Sequence, residues 1–195
     1  MTKSSNIKPI WQPILPPDQI PMNVYRAYIN QKFNQRLASS QELHQWSVDN
    51  LQDFWVDLHD YTGIIPSLPS TVTSAFDDSI PMENVPEFFC GASVNYAENV
   101  VSGRDLSKTA LVGVREGRDL DGEVWTWRLL RENVRKARSA LLQLGIKEGD
   151  RVAAIISTSV WSVGLFLATA SIGAIWTSIA PDLGDEVSDD SNVRQ

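Results

Sequence analysis

The side chains that could do chemistry are few and scattered along the chain. Cys90, followed by Gly91, would act as a nucleophile only with a general base beside it, because the thiolate is the attacking species. No second motif supplies that base, so a small, partly buried thiol is expected. His44 and His59 are the only imidazoles, and fifteen positions apart they cannot share a helical ligand motif. Both sit among aromatic residues on helical patterns, where packing or surface placement accounts for them. One Cys and two His are too few for a His/Cys zinc site, and a single Cys closes no internal disulfide. Asp77 and Asp78, and again Asp189 and Asp190, are adjacent acids; neighbouring side chains diverge, so solvation in loops explains them better than paired acid-base work. Arg128, Arg131, Arg135, Lys136 and Arg138 could together hold phosphate oxygens, and a solvated helix face is the plainer reading. Between Arg104 and Arg151 there are 11 basic and 8 acidic residues, an excess too slight for an RNA-binding surface. Phosphate-cradling signals are missing: GxxxxGK[ST] does not occur, and the nearest candidate, Ser157-Thr158-Ser159, has neither Gly nor Lys. The residues by themselves therefore assign no catalytic group, no metal ligand and no cofactor contact.

The elements that must position these groups fall into two characters. From Pro17 to about Gly63 the spacing predicts helices, with Val24, Tyr28, Phe33 and Leu37 as one apolar series and Leu51, Phe54, Trp55 and Leu58 as another. A Pro/Ser/Thr-rich loop over 64–87 leads to the aromatic block PEFFCGASVNYAENVV, and this loop is expected to be ordered only by what it lies upon. From Arg104 the pattern sharpens. TALVGVR (109–115) alternates as a strand, EGRDLDG turns the chain, and 124–127 pairs back as a hairpin. Leu130, Val134, Ala137, Leu141 and Leu144 then form a helical stripe, opened by Thr126 as N-cap and stopped by Gly145. KEGD (147–150) turns into a strand over 152–156, and a helix and a second strand complete a β-α-β unit. The predicted class is α/β with a helical N-terminal cap. The expected divisions are a cap over 1–100, an α/β part over 101–184 and a solvated acidic tail over 185–195.

Composition narrows the function classes. The chain has 195 residues, 43% hydrophobic and 21% charged, which is ordinary for a globular protein able to bury a core. Its net charge of −7 offers no general attraction to nucleic acid or to anionic lipid. The first ten residues contain no apolar run of signal-peptide length, and a reducing cytosolic compartment fits the cysteine count. A stretch of 29 uncharged residues, 152–180, is long enough to span a bilayer, which gives a membrane reading to test. Eight Ser or Thr within it and its division at Ser157-Thr158-Ser159 favour strand, helix, strand instead.

Three segments carry a resemblance: QWSVDNLQDFWVDLHDYTGI (45–64), NVPEFFCGASVNYAENVV (84–101) and GDRVAAIISTSVWSVGLFLATASIGAIWTSIAPDLG (149–184). Together they resemble the beginning of the acetoacetyl-CoA synthetases, members of the adenylate-forming acyl-CoA synthetase superfamily; acetyl-CoA synthetase is similar in layout but differs in the NYAEN block. The resemblance implies a cap followed by the first β-hairpin and β-α-β unit of the AMP-binding large domain. It implies a two-step reaction in which acetoacetate attacks ATP to give an acyl-adenylate and pyrophosphate, after which the thiol of CoA displaces AMP, with magnesium accompanying the ATP. It also implies that the phosphate loop, nucleotide contacts, most CoA contacts and catalytic Lys lie beyond the position of Gly184, so none is carried over to this chain. VWTWRLL (124–130) stands in place of a Thr-Tyr-x-Glu-Leu motif, with Leu129 where a Glu would complete a capping box with Thr126, and Cys90 stands where a Pro is usual. After Gly184 the chain departs from the family pattern.

The leading expectation is an N-terminal portion of an acetoacetate-CoA ligase, inactive alone, binding ATP, magnesium and CoA poorly or not at all. Its alternatives are a non-catalytic partner of a full-length synthetase, a piece of an acetyl-CoA synthetase and a single-span membrane protein. No nucleic-acid partner is expected.

Overall fold

The computed structural model describes residues 13–114 and 122–182. They belong to two compact units, one of residues up to Thr62 with Pro69–Gly91, the other of Gly63–Leu68 with the residues from Ala92 onward.

The first unit is built on α1 (Pro21–Lys32), α2 (Ser40–Asp49) and α3 (Leu51–Thr62). Pro21 opens α1, where its fixed φ suits a helix and its missing N–H has no partner to lose. Ser39 caps α2 by accepting from the Glu42 N–H at 3.1 Å, and the Glu42 carboxylate reaches back to the Ala38 N–H at 2.7 Å. Tyr25, Ile29, Leu43 and Trp46 form the core, with Tyr28, Phe33, Leu37, Phe54 and Leu58 packed against it. The expected stripes are therefore shifted. Val24 is exposed where Tyr25 and Ile29 are buried, and Leu51 and Trp55 face outward while Phe54 and Leu58 face in. Each helix carries enough apolar residues for two overlapping stripes, and the partners across the interface select one. Within the expected loop, Gln52 fixes residues 75–76: its Oε1 accepts from the Ala75 N–H at 2.7 Å and its Nε2 donates to the Phe76 carbonyl at 3.0 Å.

The second unit contains α4 (Tyr96–Val101), β1 (Thr109–Gly113), β2 (Glu123–Thr126), α5 (Trp127–Gln143), β3 (Arg151–Ile155), α6 (Val160–Ala170) and β4 (Ile175–Ile179). The NYAEN block has a structural purpose. Asn95 caps α4 through the Glu98 N–H at 3.1 Å and donates to the Ala170 carbonyl at 2.9 Å, Ala97 is buried in the core, and Asn99 pairs with both the N–H and the carbonyl of Ile65. The hairpin of β1 and β2 is antiparallel, with Leu111 opposite Trp125. Thr126 caps α5 by a single bond from the Leu129 N–H at 3.3 Å, as the absent Glu implies. Leu130 and Val134 are buried and Ala137 and Leu141 pack on the core, but Leu144 is 79% exposed, so the stripe ends one step early. Leu144 is the C-cap itself; Gly145, at φ 88°, donates to Leu142 and Ile146 to Leu141, and this left-handed turn swings Leu144 away from the core.

β3 and β4 are parallel and in register from Arg151 opposite Ile175 to Ile155 opposite Ile179. α6 joins them, opened by a reciprocal cap between Ser159 and Ser162. The uncharged stretch is thus strand, an 11-residue helix and strand. Among the described residues no helix is long and apolar enough to cross a membrane, and the single-span reading fails there because paired strands occupy both ends of the stretch. Trp125 is 2% exposed and meets Trp161 edge to face at 4.8 Å, and a Cβ on Gly164 would stand 3.2 Å from its ring, so α6 approaches the hairpin closely only because residue 164 has no side chain. The turn expected over 116–121 and the acidic tail from Asp185, with Asp189 and Asp190, lie outside the described residues.

Candidate functional site

The densest polar cluster is one that the spacing analysis missed. Asp57 on α3 is 2% exposed, yet its carboxylate accepts from the Tyr25 hydroxyl at 3.1 Å, from the Tyr28 hydroxyl at 2.9 Å and from the Lys32 ammonium. Tyr25, Tyr28 and Lys32 recur at steps of three and four, so they share one face of α1. The ring of Tyr61 lies 4.6 Å from that of Tyr25 and 4.8 Å from that of Tyr28. The sequence signal was an acid placed within the apolar series of α3, opposite a helix that offers three donors on one face.

The electrostatics of this cluster speak for structure. Burial, and next the Asp57 charge, push the Tyr25 hydroxyl well above the usual phenol range. Hydrogen bonding to Asp57, then to Tyr28, holds the Lys32 ammonium protonated well above the usual lysine range. A base or nucleophile working near neutral pH must release its proton there, and neither group does. The carboxylate is engaged by three donors, which makes it a clamp between α1 and α3 rather than an acid-base centre.

The residues singled out in the sequence are not brought together. His59 is 4% exposed and has no hydrogen-bond partner on either ring nitrogen; it packs edge-on to Phe89 at 5.5 Å, with an Asp60 carboxylate oxygen 3.6 Å from Nδ1. His44 lies on the exposed side of α2. Cys90 is exposed, a correction to the expected partial burial, because the chain at Phe89 turns through φ 51° and carries the next residue outward. Hydrogen bonding and charge from Glu87 push its thiol up, which lowers the thiolate fraction and argues against nucleophilic use. Asp77 accepts from the N–H of Ser79 at 2.9 Å and its hydroxyl at 2.6 Å, which holds its carboxyl below the usual range. Asp78 beside it is exposed. Arg128, Arg131, Arg135, Lys136 and Arg138 are all exposed on α5.

The residues present do not fit ATP, magnesium or CoA. The helix start after β3 is the natural phosphate position, but the Ser159 Oγ there already accepts the Ser162 N–H at 3.3 Å while Ser162 Oγ accepts the Ser159 N–H at 3.1 Å. No Gly or Lys stands in 156–160 to add contacts. Among the described residues no group of three or more His, Cys, Asp or Glu is placed to hold a metal ion.

Comparison with known proteins supplies what this geometry lacks. The AMP-binding enzyme family model matches residues 98–188. Acetoacetyl-CoA synthetase of Xenopus tropicalis is 39% identical over 163 residues, covering 84% of this chain and 24% of that protein. A malonamoyl-CoA synthetase of Penicillium aethiopicum is 34% identical over 173 residues, covering 86% of this chain and 23% of that protein. The solved acetoacetyl-CoA synthetase from Streptomyces lividans superposes with a TM-score of 0.79 at 30% identity, over 89% of this chain and 26% of that one. The chain therefore spans about a quarter of the length of the relatives it matches. Its order of helices, hairpin and parallel strand pair is that of a partial α/β fold, as expected from the sequence. By sequence and by fold together, the chain is similar to the AMP-binding enzymes over residues 98–188 and resembles the N-terminal part of acetoacetyl-CoA synthetase.

Proposed function

We propose that this chain supplies the N-terminal portion of an ATP-dependent acetoacetate-CoA ligase. In the complete reaction acetoacetate displaces pyrophosphate from ATP to give acetoacetyl-adenylate, and CoA then displaces AMP to give acetoacetyl-CoA. Magnesium would accompany the ATP. The single observation carrying the reading is the superposition over 89% of the chain at 30% identity, since it joins sequence and fold in one solved acetoacetyl-CoA synthetase. The part played here is scaffolding: the capped α6, the Trp125 core and the parallel β3–β4 pair form a foundation, while the groups that contact nucleotide and thiol belong to the part of the relatives that this chain does not match.

The described residues by themselves have no catalytic centre in this reading. The supporting observations are the reciprocally capped helix start at Ser159, the Asp57 carboxylate held by three donors and the suppressed Cys90 thiolate. Acetoacetate-dependent ATP-pyrophosphate exchange by the purified 195-residue chain tests it. Exchange at background level is expected, and exchange that rises with acetoacetate and saturates would overturn it.

A further inference from the structure

A cavity of about 610 Å³ opens in the first unit, walled by Leu51, Trp55, Phe76, Ile80 and Phe88, with the exposed Asp78 among its lining residues. Its volume falls in the range of small-molecule sites, which are mostly apolar with one or two placed polar groups. The frame is fixed by specific bonds. Gln52 pins residues 75–76 to α3, and the Phe89 N–H donates to the Ala75 carbonyl at 2.6 Å, holding the strand of chain that carries Phe88 against the one that carries Phe76. Trp55 meets Phe88 edge to face at 5.4 Å, and Phe76 lies nearly parallel to Phe88 at 6.2 Å. Asp77 is consumed by Ser79 in building the turn, whereas Asp78 has no ion-pair partner among the described residues.

Aromatic faces attract cations through their quadrupole, and a carboxylate beside them adds charge complementarity. A neutral apolar ligand would gain nothing from that solvent-exposed charge, and an anionic one would be repelled by it. We propose that this cavity is a binding site for an organic ammonium ion with an apolar body, the ammonium lying against Asp78 and the aromatic rings and the body against Leu51 and Ile80. The site is independent of the acyl-CoA ligase reading, since it uses no residue of the α/β unit.

Ligand-observed saturation-transfer NMR at low micromolar protein tests it, with benzyltrimethylammonium as the probe, neopentylbenzene as its neutral isostere and benzylsulfonate as the anion. Saturable binding of the cation, at least fivefold tighter than the isostere and with no binding of the anion, is expected. Asp78→Asn should weaken it about threefold, as losing a solvent-exposed charge partner does, while Asp18→Asn, an acid that does not line the cavity, should leave it unchanged. Trp55→Leu should abolish it, and if that variant fails to fold, Phe88→Leu and the exposed Asp78→Asn carry the test. Absence of saturable binding, equal affinity for the isostere, or an unaltered Asp78→Asn variant would each overturn the proposal.

Discussion

Replacing Asp57 is the most direct test of how the first unit is held together. In Asp57→Ala the Tyr25 hydroxyl, on a residue 6% exposed, keeps its burial and loses its acceptor, and the Tyr28 hydroxyl loses one as well. A hydrogen bond to a charged group contributes about 1.5–3 kcal/mol, and a stranded buried donor costs about 1–3 kcal/mol. The Lys32 side chain is 45% exposed, so solvent replaces most of what it loses and it adds little. Relief of the carboxylate's own desolvation offsets part of the sum, and the net expectation is a loss of about 3–4 kcal/mol, within the range for breaking a buried charged cluster on one side. Asp57→Asn, which keeps one acceptor oxygen, should lose about half as much. The pH dependence has a defined sign. Tyr25 and Lys32 both hold their protons more tightly in the folded chain, so their contribution is complete below the unfolded-state values near pH 10 and fades as pH rises through the higher folded-state values. Asp57→Asn should weaken that alkaline decline, chiefly the part due to Lys32, whose leading cause is the bond to Asp57. Urea unfolding followed by far-ultraviolet circular dichroism from pH 7 to 11 measures both. A loss below about 1 kcal/mol for Asp57→Ala, or an alkaline decline identical in Asp57→Asn, would refute the clamp.

Three further outcomes follow from the geometry. Gly164→Val places a branched side chain where even a Cβ meets the Trp125 ring at 3.2 Å, so the second unit should lose about 1–3 kcal/mol on thermal or urea unfolding, with Gly164→Ala costing less. Glu87→Gln should speed iodoacetamide alkylation of Cys90 between about pH 8 and 9, because the carboxylate whose hydrogen bond and then charge suppress the thiolate is gone; an unchanged rate would contradict the assigned cause. Ile155 is 68% exposed and Ile175 45% exposed on a two-stranded parallel pair, so self-association at tens of micromolar is expected and Ile155→Lys should reduce it in analytical ultracentrifugation.

Much of the second unit was legible before any coordinates. The Thr126 cap, the stripe from Leu130 to Leu141, the stop at Gly145 and the strand-helix-strand parse of 152–180 rest on interactions within a few residues, where propensity and capping decide. Strand ends differ by one residue, with β3 starting at Arg151 rather than 152. The first unit was less legible. Its helices were expected, but the identity of the buried face was not, because Val24 and Tyr25 compete for the same core and only α2 and α3 choose between them. The Asp57 cluster escaped notice for the same reason, since an isolated acid in an apolar series reads as a helix residue facing solvent.

The sequence by itself determined the element order, the caps, the absence of a phosphate loop and the family likeness, since each is written in short-range pattern or residue identity. Tertiary structure alone decided that Asp57 is buried beneath Tyr25, Tyr28 and Lys32 and that Gly164 admits Trp125. These facts depend on residues 25 or more positions apart meeting in space, and the packing that selects among competing faces has no signature in any local window of the chain.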